Sequence, residues 1–132
     1  ELDSETRTAR LRQLLEGLSR ITGGAKQALH YTDVAPKLLF LTVARGGNHL
    51  FGTAIGHKPD GTPKIQCDAL TEVRHVFAGD FLSPIYAGLA KGYLDEQRDG
   101  LSAAIERELV HPVEAIRQLT AELENRAGEW LA

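Results

Sequence analysis

The sequence predicts an α+β fold, with elements in the order α-β-β-α-β followed by two C-terminal helices. Three observations predict it. Leucine and isoleucine recur at helical spacing near both ends of the chain, and short apolar runs between Gly- and Pro-rich turns fill the middle. The composition, 42% hydrophobic and 25% charged over 132 residues, suits a single core.

Leu11, Leu14, Leu15, Leu18 and Ile21 predict an amphipathic first helix, with Asp3-Ser4 as its N-cap and Gly23-Gly24 as its stop. A polar loop through Tyr31-Thr32-Asp33 leads to Pro36, which opens Lys37 to Val43. That run is too short for a typical helix and apolar on both faces, so it reads as a buried strand. The Arg45-Gly46-Gly47-Asn48 turn then leads into His49 to Ile55, and Pro59 to Pro63 turns the chain again toward Lys64-Ile65-Gln66. Asp68 is the expected cap of a second helix, with Leu70, Val73, Val76 and Phe77 buried and Gly79-Asp80 ending it. A strand follows from Phe81 toward Leu89, with Pro84 marking an edge or a bulge. Leu94, Leu101, Ile105 and Leu109 mark a third helix, broken at His111-Pro112, where proline starts a fourth built on Val113, Ile116, Leu119, Leu123 and Trp130.

This order is the ferredoxin-like β-α-β-β-α-β pattern, shared by RRM domains, without its first strand. The expectation is therefore a partial RRM/ferredoxin-like core in a single domain spanning residues 1–132. With no methionine anywhere, the chain reads as the C-terminal portion of a longer RRM-like subunit that supplies the missing strand.

Composition excludes several function classes. The one cysteine, Cys67, allows neither an internal disulfide nor a CxxC zinc pair, and points to the cytoplasm. The longest apolar run, Leu38 to Val43 with Thr42 inside it, is far short of a membrane span, and the acidic N-terminus is unlike a signal peptide. Net charge is -3, unevenly spread: residues 1–66 carry +3 and residues 67–132 carry -6. A basic face on the first half is compatible with an anionic partner, because contact depends on local charge.

The segment Gly23 to Thr32 carries the most chemistry. Gly23 and Gly24 free backbone N–H groups beside the cation of Lys26, the side-chain donors of Gln27 and His30, and the Tyr31 ring. Such a set binds a phosphate chain and stacks on a base. Its spacing is not that of a Walker loop, and a helix end followed by a polar loop explains the same residues. Arg45-Gly46-Gly47-Asn48-His49 repeats the combination after the central strand, where ordinary turn chemistry is the competing explanation. Five histidines, His30, His49, His57, His75 and His111, lack any metal-binding spacing, so no metal or other cofactor is expected. No nucleophile motif or paired carboxylates appear, so no catalytic residue is expected.

Taken together, Gly23 to Thr32, Asp33-Val34-Ala35-Pro36, the Arg45-Gly46-Gly47-Asn48 turn and Leu82-Ser83-Pro84-Ile85-Tyr86 resemble the C-terminal part of the Cas-seven/DevR family, over about residues 10–98. That family forms the backbone of type I CRISPR Cascade complexes. The resemblance implies a modified RRM core, several copies side by side along a CRISPR guide RNA, neighbouring Cascade subunits, target DNA engaged through the guide, and no catalytic activity. The family's first strand and thumb-like hairpin are not found in this chain. Residue chemistry and resemblance agree on Gly23, Gly24, Lys26, Gln27 and His30 as RNA-facing, with Arg45 and His49 as second choices. Their contacts would read backbone and not bases, as a protein serving any guide requires. The alternative is a protein interaction module docking through acidic helices between residues 94 and 131, with a small hydrolase third.

Overall fold

The computed structural model describes residues 2–22, 35–47 and 49–131. The fold is α+β, with two small antiparallel sheets and two C-terminal helices. Its elements are α1 (Ser4–Thr22), β1 (Leu38–Leu41), β2 (Ile55–His57), β3 (Pro63–Ile65), α2 (Cys67–Val76), β4 (Tyr86–Leu89), α3 (Arg98–Ile105) and α4 (Pro112–Trp130).

Helix α1 starts where expected, because the Asp3 carboxylate accepts a 2.7 Å hydrogen bond from the Thr6 N–H and so satisfies a free N-terminal donor. Its apolar face is narrower than the sequence suggests. Leu11, Leu15 and Leu18 pack toward α4, whereas Leu14 (68% exposed) and Ile21 (42%) face solvent. One stripe at i, i+4, i+7 is all that a single neighbouring helix covers. The Gly23-Gly24 stop lies outside the described residues.

Strand β1 pairs antiparallel with β4 in the register Leu38↔Leu89, Leu39↔Gly88, Phe40↔Ala87, Leu41↔Tyr86. Alternation sends its side chains into two separate cores. Leu38 and Phe40 join Ile65, Leu70, Ile85, Ala87, Leu101 and Ile105, while Leu39, Leu41 and Val43 join Leu15, Tyr86, Ile116, Leu119, Leu123 and Trp130. The strand is half-buried along its length instead of fully buried, with residues of α2 and α3 packed on one face and of α1 and α4 on the other. Gly88 lets α4 approach closely. A Cβ built there would lie 2.3 Å from Pro112 Cα and 2.6 Å from Pro112 N.

The hairpin β2–β3 forms its own sheet, closed by the expected Pro59–Pro63 turn, in which Asp60 Oδ1 accepts from Thr62 N–H at 3.0 Å and from its hydroxyl at 2.6 Å. Those bonds hold the Asp60 carboxyl below its usual range. His49 to Ala54 is turn instead of strand, tied by Gly52 N–H to His49 O and Ala54 N–H to Phe51 O. The free edge of β3 is closed by a side chain: Gln97 accepts from Ile65 N–H at 3.0 Å and donates to Ile65 O at 2.9 Å.

Two further details depart from expectation. Asp68 lies in the first turn of α2, and the N-cap position is Gln66, which makes no side-chain cap bond. Leu70 is fully buried, but Val76 is 65% exposed. Helix α4 does begin at His111-Pro112, with His111 Nδ1 accepting from Val113 N–H at 3.1 Å and Pro112 at the first turn. Among the described residues no helix is long and apolar enough to cross a membrane.

Candidate nucleic-acid interface

After β1 the chain is laid against the segment that precedes β4. Val43 O accepts from the N–H groups of Leu82 (2.8 Å) and Ser83 (3.2 Å), Ala44 bridges Phe81, and Arg45 N–H donates to Asp80 O at 2.7 Å. Val43 N–H is met from the side, donating to Ser83 Oγ at 2.8 Å across 40 residues of sequence. Ser83 is 7% exposed and its hydroxyl also donates to Pro84 O at 2.8 Å. A buried hydroxyl with both functions used fixes the two segments together.

This pedestal presents an open loop. Arg45 and His49 are exposed, and Arg45 makes no ion pair among the described residues. Gly46 has φ +87°, a left-handed conformation that favours glycine, and neither Gly46 nor Gly47 has a neighbour where a Cβ would stand. Behind the loop, Thr42, Ala44, His49, Leu50, Phe51 and Gly52 line a shallow depression of about 620 Å³. Phe51 is held there against Phe40, ring centroids 5.3 Å apart.

Three arginines line the two depressions that meet at Pro84. Arg74 donates to Ala104 O at 2.8 Å and to Glu106 Oε2 at 3.2 Å. Arg126 donates to Leu82 O at 3.1 Å and to Glu129 Oε1 at 2.8 Å, with its guanidinium 5.2 Å from the centre of the Trp130 ring. Arg107 lies between them, 4.9 Å above the Tyr86 ring. Burial, and secondarily the Glu122 carboxylate, pushes the Tyr86 phenol up, so it stays neutral beneath the cation.

Of the residues singled out from sequence, Arg45 and His49 share this loop, whereas Gly23, Gly24, Lys26, Gln27 and His30 lie outside the described residues. Arg74, Arg107 and Arg126 were not singled out, and Tyr86 entered only within the Leu82–Tyr86 stretch. They sit on four different elements or their connections, and no spacing in the sequence announces that they line the two depressions beside Pro84. Elsewhere, burial raises the Cys67 thiol above its ordinary range, which disfavours the reactive thiolate. Among the described residues no group of three His, Cys, Asp or Glu side chains is placed to hold a metal ion. No family model matches the chain, and no curated protein or solved structure matches it.

Proposed function

We propose that the chain is a non-catalytic subunit that holds the phosphate chain of a CRISPR guide RNA in a type I effector complex of the cytoplasm. In it, further copies and other Cascade subunits are neighbours, and target DNA is met through the guide. One observation carries the reading. The Arg45 turn and the Leu82–Tyr86 segment, two of the stretches on which the Cas-seven/DevR resemblance rests, are hydrogen-bonded to each other through Val43, Arg45, Asp80 and Ser83, with Ser83, Ile85 and Tyr86 buried and the turn forming the exposed surface. That surface offers Arg45, His49 and two open glycines on a rigid base, the chemistry of a phosphate-tracking loop. Gly23, Gly24, Lys26, Gln27 and His30 complete the proposed contact set.

The competing idea, docking through acidic C-terminal helices, loses support from the ion pairs of α4. Glu114, Glu124 and Glu129 face Arg117, Arg12 and Arg126, so much of that acidic charge is met within the chain. The test is fluorescence anisotropy with two single-stranded RNAs of unrelated sequence. Arg45→Ala should weaken both equally and make the plot of log K against log salt shallower by about 0.7, the value for one lost single-strand phosphate contact. No RNA binding by the unsubstituted chain at low salt, or a loss confined to one sequence, contradicts the proposal.

A further inference from the structure

The arginines beyond the Arg45 loop are not equivalent. Arg74 and Arg126 are each committed to a backbone carbonyl and to a carboxylate, Glu106 and Glu129 respectively. Arg107 has no carboxylate partner among the described residues, and its guanidinium lies over the Tyr86 ring. Stacking on an aromatic face orients a guanidinium and leaves its in-plane donors unused.

The backbone beneath it is fixed. Helix α3 ends at Glu106, which takes a left-handed conformation with φ 55°, and Arg107 then bonds twice to Ser102. Its N–H donates to Ser102 O at 3.2 Å and its carbonyl accepts from the Ser102 hydroxyl at 2.6 Å. Arg107 and Pro84 together form the shared wall of two depressions of about 380 Å³ each. One is lined also by Arg74, Phe81, Ser83 and Glu106, the other by Tyr86, Gln118, Glu122 and Arg126. The first has its one carboxylate already paired to Arg74, whereas Glu122 in the second repels an anion. An oxyanion therefore finds an oriented, unpaired fork on the Phe81–Ser83 side of Arg107.

We infer that Arg107 is a second phosphate-binding residue, taking a phosphodiester of the same single-stranded RNA beside Pro84, apart from the Arg45 loop. The inference rests on the proposed RNA-binding function and adds a contact that neither the sequence motifs nor the resemblance contains. The two loops would then act as successive clamps on one strand, joined by the hydrogen-bonded segment between them.

The experiment measures anisotropy of a labelled fifteen-nucleotide oligouridine across a salt series, with circular dichroism melts to verify folding. Arg107→Ala should weaken binding about tenfold, the loss expected for a charge-assisted contact, and flatten the salt slope by about 0.7. Arg107→Lys keeps the charge but not the planar fork, so it should retain the slope while losing affinity. Glu122→Gln, which removes a carboxylate unpaired among the described residues from the adjoining depression, should raise affinity. If Arg45→Ala flattens the slope and a folded Arg107→Ala does not, this inference is overturned while the RNA-binding proposal stands. If no variant, including Arg45→Ala, changes the slope, both fall. Arg107-dependent binding of free uridine monophosphate as tight as that of the oligonucleotide would make the site a nucleotide pocket and overturn the strand-clamp assignment.

Discussion

Gly88→Ala tests how helix α4 is joined to the central ribbon. A methyl group at this position meets Pro112 Cα at 2.3 Å, Pro112 N at 2.6 Å and His111 C at 3.1 Å, all backbone atoms that cannot swing aside. Ordinary contact needs about 3.4 Å or more, so the start of α4 must retreat by roughly one ångström, against a close-packed interior. The retreat strains the 2.8 Å bond from Leu89 N–H to Val110 O, and it lifts Ala115 and Ile116 from their core. Overpacking of this kind costs about 1–3 kcal/mol, and a weakened backbone hydrogen bond adds about 1 kcal/mol. The expected loss is therefore about 2–4 kcal/mol, a fall in melting temperature on the order of 10 °C for a domain of this size. Thermal and urea unfolding followed by circular dichroism read it. Gly128→Ala is the matched contrast: on the exposed side of α4, with nothing near its Cβ position, it should stabilise by about 0.5–1 kcal/mol through helix propensity alone. A Gly88→Ala protein that melts within two or three degrees of the parent, by about the same unfolding slope, would mean that α4 does not cross the ribbon at Pro112.

Gln97→Ala should cost about 2–3 kcal/mol, because it strips both partners from the backbone of Ile65, a residue 1% exposed, and the Ile65 amide should lose its hydrogen-exchange protection. Stability should also fall in acid. The carboxyls of Asp3 and Asp60 are held below their ordinary range first by hydrogen bonds from Thr6 and Thr62, so their contribution is complete above the unfolded-state value of about 3.8 and is lost as pH drops through the lower folded values. NMR titration of the two carboxyls should give midpoints below those of the unfolded chain, and equal midpoints would remove the Asp3 cap and the Asp60 turn bonds from the account.

What was legible in the sequence is what short-range chemistry decides. The Asp3 cap, the Pro59–Pro63 turn and the His111-Pro112 helix start each depend on groups within a few residues of one another, and each stands where it was expected. Exposure of Leu14 and Val76 was not legible, because periodicity marks a potential apolar face while the width actually covered depends on the neighbouring helix. The partner of β1 was equally hidden. A run that is apolar on both faces says it is sandwiched, but not that β4 lies beside it or that the hairpin forms a separate sheet. The candidate interface divides in the same way. Arg45 and His49 were visible as turn residues, while the seating of that turn on Ser83 spans 40 residues and the stack of Arg107 on Tyr86 joins two separate elements.

The central claim is that RNA lies across the Arg45 loop and the Phe81–Tyr86 segment, and photo-cross-linking to a 4-thiouridine-labelled single-stranded RNA, mapped by mass spectrometry, tests it most directly. Cross-linked peptides should cover residues 42–52 and 80–86 for RNAs of unrelated sequence, and should disappear as salt is raised. Cross-links confined to the acid-rich surface of α4, or none at low salt, would contradict the account.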